Sequence, residues 1–195
     1  SNLNNLTDIT MNSQYATMLG YTQNELDENL GEMYAKFAKQ KSLEVGTLKN
    51  EVKNWYNGYR FHENAQTVYN PVSIAKFCEN HGEFNNYWFD TGIPTVLINI
   101  IRQKDSYFNH ILKRPISSVA FKAFEIDKID PIVLAFQTGY LTIKNTEQYL
   151  GKTRYYLDFP NIEVADAFNV FMLSECSALG EIGTTQFIDK ITESL

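Results

Sequence analysis

Along residues 22–39, Leu26, Leu30, Met33, Tyr34 and Phe37 recur at three- and four-residue steps, a spacing that lays one apolar face along a helix. Thr22 followed by Glu25 is a capping-box arrangement, in which each side chain satisfies an orphan backbone N–H, so this helix is expected from Thr22 to about Lys39. A second helix is predicted over Thr47 to Trp55. Asn57-Gly58 breaks it, because both residues tolerate the left-handed conformation that ends a helix. Tyr59-Arg60-Phe61 and Val68-Tyr69 read as short extended pieces. Asn70-Pro71 then restarts a helix to about Glu79, with Pro pre-set for the first turn and Asn able to cap it. Behind the turn Thr91-Gly92-Ile93-Pro94, the residues Val96, Leu97, Ile100 and Ile101 predict a core helix from Pro94 through Arg102.

From Asp130 the pattern changes. A short helix to about Gln137 is followed by two runs with period two, Tyr140 to Lys144 and Arg154 to Phe159, which predict a hairpin burying Leu141, Ile143, Tyr155, Leu157 and Phe159. After Pro160 the helical period returns, with Ile162, Ala165, Phe168 and Met172 expected on the buried side of a helix to about Ser177. A short amphipathic helix is predicted over Thr184 to Leu195. The expected fold is mainly α with a small antiparallel β-hairpin. Residues 1–114 would form a helical lid-like region, and residues 115–195 a winged-helix-like region with C-terminal helices.

Of the 195 residues, 44% are hydrophobic, and 13 Phe, 12 Tyr and 2 Trp supply enough large side chains for a core without disulfides or metal. The net charge of −6, with 17 basic residues scattered along the chain, argues against a nucleic-acid groove. Cys78 and Cys176 lie far apart, and His62, His81 and His110 form no ligand spacing, which points to a reducing compartment and no structural zinc. There is no apolar run of about 20 residues and no secretory leader, so a cytoplasmic protein with no membrane partner is expected. The absence of an initiator Met at Ser1 suggests a piece of a longer protein.

Gly151-Lys152-Thr153 matches half of a phosphate-binding loop. That loop needs Gly at position 146, which is Thr146, and must open a helix rather than an alternating strand, so a hairpin tip is the better reading. Glu125, Asp127 and Asp130 form an acidic cluster without ligand spacing and read as a helix cap. No nucleophile-and-base arrangement is present, and this segment is not expected to be an enzyme. Two denser clusters remain, Trp55 to Phe61 and Tyr87 to Pro94. Their residues read either as an interlocking core or as a surface where aromatic faces meet a base and Arg60 meets phosphate.

At these clusters the chain resembles the bacterial AAA-ATPase-like family, whose members are often fused to a C-terminal restriction-endonuclease-like nuclease domain. The resemblance rests on Leu3 to Thr10, Leu19-Gly-Tyr-Thr22 with Glu25-Leu26, Trp55-Tyr-Asn-Gly-Tyr-Arg-Phe61, Val68-Tyr-Asn-Pro71 with Ser73-Ile74, and Asn86-Tyr-Trp-Phe89 with Thr91-Gly92 and Pro94. It continues through Gln137 to Lys144 and Phe159-Pro-Asn161 with Glu163-Val164. The resemblance implies a part C-terminal to the P-loop core, with ATP and Mg bound by the parent protein and no cofactor held here. The expected partners are that upstream core and a possible downstream nuclease domain of the same chain, with the oligomeric state left open. The implied role is a non-catalytic regulatory or lid module, in which Arg60, Tyr59, Asn57, Gly92 and Pro94 are the candidates for sensing nucleotide. The alternative is a winged-helix-like module that docks a protein, or less readily a nucleic acid, independently of nucleotide.

Overall fold

The computed structural model describes residues 9, 11–88, 115–118, 120–122 and 130–177. Thr22 caps the first helix as the sequence requires. Its Oγ1 accepts a bond from Glu25 N at 3.3 Å, and Glu25 Oε2 accepts one from Thr22 N at 2.7 Å. The single helix expected over 22–39 is two, α1 (Gln23–Asn29) and α2 (Gly31–Lys41). Leu30 leaves helical geometry between them, and the Asn29 side chain donates to the Glu25 carbonyl at 2.7 Å, closing the end of α1 with a side chain. α3 (Val45–Tyr56) and α4 (Pro71–Glu79) follow the predicted spans closely, and α4 starts where Asn70 Oδ1 accepts from Val72 N at 2.9 Å. Leu26, Tyr34, Phe37, Leu48, Val52, Tyr56, Tyr69, Ile74 and Phe77 make the first core.

The second core is built around α5 (Pro131–Gln137) and a three-stranded antiparallel sheet. Asp130, expected to cap α5, does so, its Oδ1 accepting from Ile132 N at 3.0 Å. The strands are β1 (Ile116–Ser117), β2 (Thr142–Tyr149) and β3 (Lys152–Asp158), in the order β1-β3-β2. β1 was not legible in the alternation, because a two-residue strand has no period. Leu141, Ile143, Tyr155 and Leu157 are buried as expected, and Phe159 packs partly buried against them.

The hairpin turns at Leu150 and Gly151, so the Gly151-Lys152-Thr153 triplet sits at a hairpin tip and opens a strand. Both turn residues have positive φ, 49° and 72°. Leu150 is 85% exposed and gains nothing from packing to offset that conformation, for which Asn is far better suited. Leu150→Asn is therefore expected to stabilise the fold by about 1 kcal/mol, read as a rise in the urea midpoint with an unchanged slope.

The last described helix, α6 (Ile162–Ser177), buries Phe168 as expected but turns Ile162 outward and buries Glu163 instead. Ile162 is exposed and Ala165 only half-buried, while Glu163, Val164, Ala167 and Phe168 face inward. The apolar period misses Glu163 because it has no place for a carboxylate at a buried position. Met172 and the helices predicted over Pro94–Arg102 and Thr184–Leu195 lie outside the described side chains and residues. The fold is mainly α with a small antiparallel sheet. Among the described residues no helix is long and apolar enough to cross a membrane.

Candidate functional site

The segment Asn57–Phe61 leaves the end of α3 and passes from the first core to the second. Asn57 is buried and extended, its N–H donating to the Lys53 carbonyl at 3.1 Å and its Oδ1 accepting from Gly58 N. Gly58 has φ of +115° and lies against the Pro160 carbonyl, so near that a Cβ would fall 1.9 Å from its oxygen. Glycine is required here by both the dihedral and the close approach.

Tyr59 then pairs with Val68 through two backbone bonds, of 3.2 and 2.8 Å, in an isolated antiparallel bridge. Its ring belongs to the second core, only 6% exposed and stacked on Phe61. Burial pushes its hydroxyl pKa up, so it stays protonated. Arg60 is stitched to the sheet. Its N–H donates to Thr142 Oγ1 at 2.7 Å, and the same hydroxyl donates to the Arg60 carbonyl at 3.2 Å. The guanidinium is half-buried, with Nη1 reaching the Lys144 carbonyl at 3.4 Å and Nε buried without a partner among the described residues.

Of the residues expected to sense nucleotide, the structure therefore sets Asn57 and Tyr59 in the interior and leaves the Arg60 guanidinium half exposed at the edge of β2. Gly92 and Pro94 lie outside the described residues, as do Glu125 and Asp127. The aromatic density of Trp55–Phe61 is largely core. Tyr56 packs against Phe77, Phe84 and Tyr87, and its hydroxyl exchanges bonds with the backbone of Asn85.

Glu163 was singled out only as part of a motif, with no role attached. It is fully buried at the first turn of α6, its Oε2 accepting from Ser73 Oγ at 2.8 Å and its Oε1 from Trp88 N at 2.9 Å. The Tyr87 backbone also bonds it. One residue of α6 thus holds α4 and the segment 87–88. Asp166, a turn later, accepts from Asn86 Nδ2. Burial raises the Glu163 pKa to about 7, against the opposing pull of these donors. A glutamate beside Val164 in an otherwise apolar helix start was the available signal. Periodicity alone reads it as a solvated position.

A separate cleft of about 490 Å³ opens between the 3-10 turn Ser13–Tyr15 and the sheet, lined by Asn12, Ser13, His62, Ser118, Phe121 and Tyr155 among others. Its volume is in the range of small-molecule sites. His62 Nδ1 accepts from Asn64 N at 3.1 Å, and Tyr155 Oη donates to Glu63 Oε2 at 2.6 Å. Burial and the Glu63 carboxylate push the Tyr155 pKa up to about 12. No group of three or more His, Cys, Asp or Glu suited to hold a metal occurs among the described residues.

No family model and no solved structure matches the chain. It is similar to an uncharacterized protein in the vnfD 5′ region of Azotobacter chroococcum mcd 1, with 34% identity over 173 residues. The match covers 89% of this chain and 31% of the relative, so the chain spans about a third of the relative's length.

Proposed function

We propose that this chain is a non-catalytic module of a longer cytoplasmic ATPase of the AAA-ATPase-like type, in which it transmits nucleotide state to domain arrangement. The observation that carries the reading is the path of Asn57–Arg60, which hydrogen-bonds to the helical layer through the Lys53 carbonyl of α3 and to the sheet through Thr142. A module with its two cores tied in this way moves as one body, as a lid must if a change at one edge is to reach the other. Arg60 is the group suited to meet phosphate, since its guanidinium is held at the sheet edge by a single long bond and keeps spare donors. ATP and Mg would be held by the P-loop core of the parent, and the extra length of the relative leaves room for such a core and for a nuclease domain.

The test is ATP hydrolysis by the full-length parent, wild type against Arg60→Ala, with Arg60→Lys as a charge-retaining control and this chain run alone alongside. A fall of about tenfold in kcat, or about 1.4 kcal/mol in the barrier, is expected at an unchanged melting temperature, with no turnover by the chain alone. Unchanged turnover in the variant would return Arg60 to a purely structural role. A nucleotide-independent docking module is the second reading, favoured by the exposed Tyr15, Met18, Leu19 and Tyr21 in one stretch before α1.

A further inference from the structure

In the β2–β3 ladder Ile143 opposes Leu157 and Asn145 opposes Tyr156, so Lys144 has no residue opposite it and forms a bulge. A bulge frees backbone groups from the ladder and re-aims a side chain. Here the freed carbonyl holds one cation and the side chain carries another. The Lys144 carbonyl accepts from Arg60 Nη1 at 3.4 Å, and the Lys144 ammonium donates to the Pro160 carbonyl at 2.9 Å. That same Pro160 carbonyl lies against Gly58, two residues before Arg60. The bulge thus brings the segment that carries Arg60 and the Lys144 side chain to one place at the edge of the sheet.

Like charges held together repel unless an anion answers them. Among the described residues Lys41, Lys49 and Lys76 each pair with a carboxylate, whereas Arg60 and Lys144 form no ion pair and bond only neutral carbonyls. Desolvation holds the Lys144 ammonium below its ordinary pKa, Asp158 pulls the other way, and the Arg60 charge adds to the lowering. Asp158 is one negative charge against two positive ones, and its Oδ1 already accepts from Phe159 N at 2.7 Å. The guanidinium spends one donor on a long bond and keeps others in a planar fork, which suits an oxyanion. Lys144 is exposed and spends one of its three donors, so its charge remains open to solvent. Two cations from separate segments suit an anion with several oxygens and more than one charge. A singly charged carboxylate would answer only one of them.

We infer that the β2 bulge builds a two-cation oxyanion site at the surface, in which Arg60 and Lys144 together bind a polyphosphate, either pyrophosphate itself or the phosphate tail of a nucleotide. The site deepens the reading of Arg60 as a phosphate contact and rests on it in that respect. It gives Lys144 a binding role and gives the bulge the task of setting the second cation beside the first.

The test is calorimetric titration of this chain with pyrophosphate at low ionic strength, where such attraction is least screened, for the wild type, Arg60→Gln, Lys144→Gln and Lys152→Gln. The wild type is expected to bind, and Arg60→Gln and Lys144→Gln each to bind about tenfold more weakly, equivalent to about 1.4 kcal/mol. Lys152→Gln removes the same charge at the start of β3 and should leave the affinity unchanged. Because Lys144→Gln also loses the bond to Pro160, Lys144→Arg serves as the second variant; it keeps the charge and should retain binding. A repeat with ATP separates the two sources: tighter binding than pyrophosphate assigns the site to a nucleotide, and equal binding to the bare anion. No binding by the wild type, an unchanged affinity in Lys144→Gln, or an equal loss in Lys152→Gln would overturn the site. The lid reading fails separately. Unchanged turnover of the parent Arg60→Ala variant would remove the lid role, while pyrophosphate binding that needs both cations would still uphold the site.

Discussion

Gly58→Ala is expected to destabilise the fold by about 4 kcal/mol, one of the largest effects of any single-methyl addition in the chain. Two costs combine. The backbone at φ +115° is strained for any residue with a Cβ, and the added methyl would meet the Pro160 carbonyl at 1.9 Å. The obstacle is backbone rather than the end of a flexible side chain, so relief requires moving the turn before α6 away from the end of α3. That movement would pull on the Lys144 ammonium bound to the same Pro160 carbonyl at 2.9 Å. Gly151→Ala is the control, since Gly151 also has positive φ but nothing lies within 4 Å of where its Cβ would be. It should cost only about 1 kcal/mol of left-handed strain. Chemical denaturation of the two variants side by side decides the matter, and equal losses would mean that Gly58 is needed for its dihedral alone.

Glu163→Ala is expected to cost about 3 kcal/mol, because it takes the acceptor away from the buried Ser73 hydroxyl and from the Trp88 N–H and opens a cavity between α4 and α6. Glu163→Gln keeps the shape and an acceptor oxygen and should cost markedly less. The same residue makes stability depend on pH. Burial is the main cause of its raised pKa, from 4.5 to about 7, so the folded state binds the proton more tightly than the unfolded chain does. The stabilisation from protonated Glu163 is full below about pH 4.5 and is lost as pH rises to about 7, a decline of at most about 3 kcal/mol. Tyr56, Tyr59 and Tyr87 face the carboxylate. Their own pKa values are raised, so they stay neutral through this window. Subtracting the Glu163→Gln stability curve from that of the wild type between pH 4 and 8 isolates the effect. A flat difference would show that folding leaves the Glu163 pKa unshifted.

Much of the local structure was legible in the chain because local rules decide it. Thr22 with Glu25, Asn70 before Pro71 and Asp130 before Pro131 each start a helix by satisfying backbone N–H groups that have no other partner, and this depends only on neighbouring residues. The alternation in β2 and β3 was likewise sufficient to place Leu141, Ile143, Tyr155 and Leu157 inside. The break at Leu30 was missed because it rests on one side-chain bond, from Asn29 to the Glu25 carbonyl, that competes with an otherwise continuous apolar stripe. In the candidate site, the motif Trp55–Phe61 was visible as unusual, but not which of its members were interior.

That last distinction belongs to the tertiary structure. Tyr59 is buried because Val68 and the sheet meet it from distant parts of the chain, and Arg60 is held by Thr142, 82 positions away. Glu163 is the clearest case. Read locally, a carboxylate in the first turn of a helix belongs in solvent, where the helix dipole favours it. It is interior because Ser73, 90 positions away, and Trp88, 75 positions away, bring hydrogen-bond donors that offset its desolvation. The sequence by itself determined where the capped helices begin and which residues of the hairpin face inward, since those depend on short-range backbone bonding and alternation. Which polar groups are carried inside was decided only by the fold, because a buried polar group is tolerable only where remote partners meet it.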